Sequence, residues 1–138
     1  MLNDAGLSTL LAQANTIAAV GLTDDPRNPD YQVASYQQSQ GYKVIPVNPQ
    51  IETSLGHKSV PKLEQIEEPV DIVNVFAGRS ELGQIAETAA RKGAKAIWFQ
   101  PEVQSKEAEQ HAQSLGLTVV SGRCFRREHQ RLLSRANL

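Results

Sequence analysis

Five short apolar runs, rich in valine, isoleucine and phenylalanine, recur along the chain at roughly 22–28 residues per unit. They are Thr16 to Gly21, Lys43 to Val47, Asp71 to Phe76, Ala94 to Phe99 and Leu117 to Val120. None is long enough for a helix, and each is nearly continuous rather than alternating. Strands buried on both faces look like this, which is the habit of parallel sheets. Helix-like stretches fill the gaps. Leu7, Leu10, Leu11 and Ala14 keep an i, i+3, i+4, i+7 spacing before the first run. Val33 and Tyr36 begin a weaker stripe that stops at Gly41, and Leu63 and Ile66 suggest a short helix after Pro61. Leu82, Ile85, Ala86 and Ala89 make the clearest stripe, with Ser80 as expected N-cap and Gly93 as its stop. Ala108, Ala112 and Leu115 make another between Ser105 and Gly116, and a last helix is expected over Phe125 to Leu133. Such alternation makes βαβ units joined by right-handed crossovers. The expected fold is α/β, a Rossmann-like three-layer sandwich with a five-stranded parallel sheet.

Composition narrows what such a fold would serve. The 138 residues suit one domain spanning 1–138. Fourteen Lys and Arg stand against 15 Asp and Glu, a net charge of −1, which excludes a generally polyanion-binding protein. No apolar stretch approaches the ~18 residues that span a membrane. Asp4 stands where a signal peptide would carry positive charge, so a cytoplasmic location is expected. The one cysteine, Cys124, excludes an intrachain disulfide and starves a structural zinc site of thiolates.

In an open parallel sheet, ligands bind outside the carboxyl ends of the strands. The first such loop is Gly21-Leu22-Thr23-Asp24-Asp25-Pro26, with a helix expected from Pro29 or Asp30. A helix start favours phosphate, Thr23 adds a hydroxyl and Arg27 a charge. Yet only one glycine is present, unlike the dinucleotide G-x-G-x-x-G, and the loop reads equally as a turn with Asx-type capping. The second strand ends Val44-Ile45-Pro46-Val47-Asn48-Pro49, with no acid before Glu52, which argues against NAD. Asn48 could hold a ribose or adenine edge and a proline could pack on a flat ring; both prolines could equally just shape a turn. Phe76 reads as a channel residue or as the last core residue of its strand. Arg79 could meet a phosphate, but reads better as a solvated residue at a helix start, where a cation opposes the dipole.

Gly21-Leu22-Thr23-Asp24-Asp25-Pro26, Tyr31 to Ala34, Val47-Asn48-Pro49, Val75-Phe76, Gln100-Pro101 and the closing Val119-Val120, Arg123-Cys124 and Glu128-His129 resemble the small bacterial CoA-binding proteins. These are stand-alone CoA-binding Rossmann domains, similar to the N-terminal domain of the succinyl-CoA synthetase α subunit. The resemblance covers about residues 14–132 and implies a coenzyme A site at the carboxyl edge of the sheet. By that resemblance, Gly21, Leu22 and Thr23 would cradle the pyrophosphate. Val47, Asn48 and Pro49 would surround the adenosine, and Val75, Phe76 and Ala77 would line the pantetheine path. Lys58 or Arg27 would meet the 3′-phosphate. Asp30 departs from the family, which often has a small hydroxyl residue there.

No catalytic set emerges. His57, His111 and His129 are far apart in sequence, and no nucleophile elbow, P-loop lysine or metalloprotease helix is present. Asp24, Asp25 and Asp30 could in principle hold Mg²⁺ beside a phosphate, though such sites also need substrate oxygens. Cys124, beside Arg123, Arg126 and Arg127, could form a mixed disulfide with the CoA thiol or simply be a half-buried apolar residue. Arg123, Arg126, Arg127, Arg131 and Arg135 could face nucleic acid, but they lack interleaved aromatics beyond Phe125 and read better as a solvated face or a partner contact. The expected function is therefore non-catalytic binding of coenzyme A or an acyl-CoA, with a homo-oligomer possible. The alternatives are a subunit of a CoA-dependent enzyme completed by a partner, or a nucleic-acid-binding regulator.

Overall fold

The computed structural model describes residues 2–133, apart from the side chain of Arg79. Five strands form one parallel sheet: β1 (Thr16–Val20), β2 (Lys43–Val47), β5 (Ile72–Val75), β6 (Ala96–Phe99) and β7 (Thr118–Ser121). Their spatial order is β2-β1-β5-β6-β7, with Val20 beside both Val47 and Val75. Five helices pack on the sheet: α1 (Asp4–Gln13), α2 (Pro29–Ser39), α3 (Leu82–Arg91), α4 (Lys106–Ser114) and α5 (Phe125–Leu132). The expected α/β three-layer sandwich with a five-stranded parallel sheet is what the chain forms. Among the described residues, no helix is long and apolar enough to cross a membrane.

The near-continuous apolar runs follow from the two cores. Along β1, Ile17 and Ala19 face a core with Leu7, Leu11, Val33, Trp98 and Phe125, drawn from α1, α2, β6 and α5. Ala18 and Val20 face the other, with Leu63, Leu82, Ile85, Ala86 and Ala112, drawn from the α3 and α4 side. Side chains alternate across a strand, so a strand covered twice must be apolar at every position.

One polar residue breaks that rule. Asn74, in the middle of β5, is fully buried. Its Oδ1 accepts from Gln37 Nε2 at 2.8 Å, and its Nδ2 donates to the Trp98 carbonyl at 3.1 Å and to Gln100 Oε1 at 3.3 Å. Gln100 Oε1 also accepts the Phe125 N–H at the start of α5, at 3.2 Å. The network ties α2, β5, β6 and α5 together at one point.

The local readings differ from the structure in three places. Ser80 does not cap α3. Gly78 turns the chain in a left-handed conformation, a 3₁₀ turn over Arg79–Glu81 follows, and Glu81 takes the cap position. The short helix expected after Pro61 is a single 3₁₀ turn, Leu63–Gln65, with Ile66 at its C-cap. Between Asn48 and Pro61 the chain adds a small antiparallel hairpin, β3 (Thr53–Ser54) and β4 (His57–Lys58), which no apolar run announces. Elsewhere the stops hold: α2, α3 and α4 end just before Gly41, Gly93 and Gly116, and Ser105 caps α4 by accepting from the Ala108 N–H at 3.2 Å.

Candidate functional site

From β1 the chain moves outward to β2, then returns across β1 to β5, so the connections that leave these two strands lead to helices on opposite faces. Such a reversal leaves a crevice in open α/β sheets. Here it is a cleft of about 640 Å³ on the α3 face. Gly21 and Thr23 after β1, Val47 to Gln50 at the end of β2, and Ala77 and Gly78 after β5 line one part. Pro61 to Glu64 and the α3 residues Gln84, Ile85 and Thr88, with Glu81 just before them, line the rest.

Gly21 sets the floor. Its φ of +86° favours glycine, and a Cβ there would lie 2.6 Å from Ala77 Cβ and 2.8 Å from Ala77 N. Its N–H donates to the Val47 carbonyl at 2.9 Å. Leu22 then plunges into the α1/α2/α5 core and is fully buried, anchoring the loop. The Leu22 carbonyl accepts Asn48 Nδ2 at 3.0 Å, and the Thr23 carbonyl accepts the Ser54 hydroxyl at 2.8 Å. The N–H groups of Leu22, Thr23 and Asp24, by contrast, have no acceptor among the described residues. With two carbonyls engaged, the loop keeps unbonded donors of the kind an anion cradle uses; Thr23 lines the cleft, whereas Leu22 is fully buried.

Asn48 braces the cradle from the next strand. Besides donating to Leu22, its Oδ1 accepts the Gln50 N–H at 2.9 Å, and its own N–H donates to the Val60 carbonyl at 2.9 Å. The hairpin holds the same corner through Ser54.

Of the residues singled out from sequence, the cleft brings together Gly21, Thr23, Val47, Asn48, Pro49 and Ala77. It does not bring the others to its lining. Leu22 and Phe76 sit in the core on the opposite face, and Val75 is buried within the sheet. Arg27 projects into solvent and pairs with Asp25 at 3.2 Å. Lys58 lies exposed on β4, and the side chain of Arg79 lies outside the described residues. The wall formed by Lys62, Glu64 and α3 escaped the sequence reading. The α3 stripe showed which face is apolar, but not that its border overlooks a ligand-sized space.

The remaining candidates lie away from the cleft. Cys124 is partly buried against the α1/α2/α5 core, just ahead of α5. Arg131 pairs with Asp4 at 2.8 Å and Glu128 at 2.5 Å, Arg123 is 3.9 Å from Glu128, and Arg126 lies over the Tyr36 ring. Arg135 lies outside the described residues. His129 is buried and 2.6 Å from the Tyr36 hydroxyl, and burial lowers its pKa. Among the described residues, no group of three His, Cys, Asp or Glu side chains is placed to hold a metal ion.

Asp30, in the first turn of α2, carries a titration signature. Its half-burial, reinforced by the Glu102 carboxylate, pushes its pKa up to about 6. In an unfolded chain the same group titrates near about 3.9. The folded state therefore binds this proton more tightly, and ionised Asp30 costs stability progressively as pH rises through the window from about 4 to about 6. Asp30→Asn is expected to raise the thermal midpoint at pH 7 and to leave it nearly unchanged at pH 4. Melting curves of the two proteins at both pH values check this; an equal gain at both would refute the assignment.

Comparison with known proteins gives the family and the fold. The model of the family described as "CoA binding domain" matches residues 15–130. The chain is 37% identical over 125 residues to the uncharacterized protein YneT of Bacillus subtilis, covering 91% of this chain and 93% of that one. Its fold is similar to a hypothetical protein from Pyrococcus horikoshii, at 36% identity and TM-score 0.92, with 96% and 94% of the two chains covered. It is similar as well to a Thermus thermophilus protein, at 36% identity and TM-score 0.89, with 95% and 99% covered. A parallel sheet with a switch-point cleft and a family match along nearly its whole length place this chain in the CoA-binding domain family.

Proposed function

We propose that the protein binds coenzyme A or an acyl-CoA in the switch-point cleft, without catalysing a reaction on it. The observation that carries this reading is the β1 loop at Thr23 and Asp24, whose N–H groups have no acceptor among the described residues, beside a cleft large enough for a nucleotide. In this reading the pyrophosphate sits on that loop and the adenosine lies along Val47, Asn48 and Pro49. The pantetheine arm runs past Ala77 toward the apolar Ile85 on α3. Phe76 and Val75 then support the path from beneath rather than touch the ligand. The likeness of the motifs to the small CoA-binding proteins supports the same placement.

Asn48 is the residue whose loss separates binding from folding. It is only partly buried, yet it holds the Leu22 carbonyl. Asn48→Ala is expected to weaken CoA binding about tenfold, the size of one lost positioning hydrogen bond. Calorimetric titration of ligand-free wild type and variant with CoA and NAD tests this. Micromolar CoA binding in wild type, silence with NAD and the loss in the variant support the reading. A wild type that gives neither heat nor thermal shift with CoA overturns it.

A further inference from the structure

We infer that Lys62 is the specificity-determining cation of this site, reading the 3′-phosphate that distinguishes coenzyme A from its 3′-dephospho form. The inference rests on the CoA reading above. Its grounds are positional and electrostatic. Val60 bridges in parallel to Val47, and the Asn48 N–H donates to the Val60 carbonyl. The chain therefore continues through Pro61 and Lys62 along the side of Asn48 and Pro49, and both residues line the cleft. Among the described side chains Lys62 is the cation of that lining, and it makes no ion pair with another described residue.

The other candidate cations are placed differently. Arg27 is neutralised by Asp25 and points outward. Lys58 pairs across the hairpin with Thr53 and stands outside the lining. Glu81 lines the cleft just before α3 and repels an anion there, while Glu64 lies two residues from Lys62 on the same segment. In CoA the phosphorylated ribose lies between adenine and pyrophosphate. With adenosine on Val47 to Pro49 and pyrophosphate on Leu22 to Asp24, that ribose is flanked by the Lys62 segment. A lysine acts here as a flexible point charge, suited to a single phosphate group at the rim.

The test is a titration matrix: CoA and 3′-dephospho-CoA against wild type, Lys62→Ala, Lys58→Ala and Lys106→Ala. Lys106 is an exposed lysine on α4 that corrects for the change in net charge. Lys62 is exposed, so its truncation leaves the fold intact, as a melting curve checks. Wild type is expected to prefer CoA about fivefold, and Lys62→Ala to lose that preference by weakening CoA alone. Lys58→Ala and Lys106→Ala are expected to keep it. Equal weakening of both ligands by Lys62→Ala would place the lysine on the pyrophosphate and overturn the inference. Retained preference in that variant, or equal affinity of wild type for both ligands, would overturn it too. A wild type that binds neither ligand would overturn this inference together with the CoA reading beneath it.

Discussion

Gly21→Ala is expected to cost about 2–5 kcal/mol of stability and to abolish measurable CoA binding. The cost has two parts: about 1–2 kcal/mol for forcing a side chain into a left-handed backbone, and about 1–3 kcal/mol for the clash with Ala77. The clash is with backbone N and Cα as well as with a methyl group, so no rotamer relieves it. The loop from β1 and the loop from β5 must separate, and the cradle at Leu22 to Asp24 moves with them. Gly41→Ala is the matched control, because Gly41 has a φ of +98° but open space around it. It should show the conformational cost alone and bind CoA normally. Urea denaturation of both variants checks the difference. Equal destabilisation would show that the contact with Ala77 carries no energy.

Asn74→Ala is expected to cost about 2–4 kcal/mol, through buried groups left without partners and a small cavity. Gln37 is fully buried and its Oε1 has no partner among the described residues, so losing Asn74 strips the amide of its one side-chain hydrogen bond among them. Gln100 Oε1 keeps the Phe125 N–H as its donor. The damage is expected to spread to α2 and α5, the elements that the network ties to the sheet. Amide hydrogen exchange would show lost protection in both helices. A loss confined to β5 would argue that the network fills space without coupling the elements. The contrast with Asn48→Ala is direct: one asparagine holds the fold, the other holds the loop.

The architecture was legible because burial on both faces leaves a mark that needs no long-range knowledge. Every residue from Ile17 to Val20 or from Ile72 to Val75 must tolerate a dry neighbour, and the strands declare themselves. Asn74 hides in such a run because its partners, Gln37 and Gln100, are distant in sequence. The hairpin was illegible for a different reason. Its two-residue strands bury little, and it is held by single side-chain bonds such as Ser54 to the Thr23 carbonyl and Gln38 to the Leu55 carbonyl. No periodic pattern reports bonds of that kind.

The same limit shaped the site. Loops at strand ends pointed to Gly21, Thr23, Asn48 and Pro49, because topology alone puts those residues at the carboxyl edge. The choice among cations depended on which of Arg27, Lys58 and Lys62 faces inward. That is decided by the Val47–Val60 bridge and the Asp25–Arg27 pair, both of which exist only once the chain is folded.

The central claim is that the β1 loop cradles the anionic part of a CoA molecule. The most direct measurement is an amide NMR titration of ligand-free protein with CoA. The account predicts large, saturable shifts at Leu22, Thr23 and Asp24, with smaller ones at Asn48, Ala77 and Gly78, and little change along α5. Shifts centred on Arg123, Arg126 and Arg127, or none at the β1 loop at saturation, would contradict it.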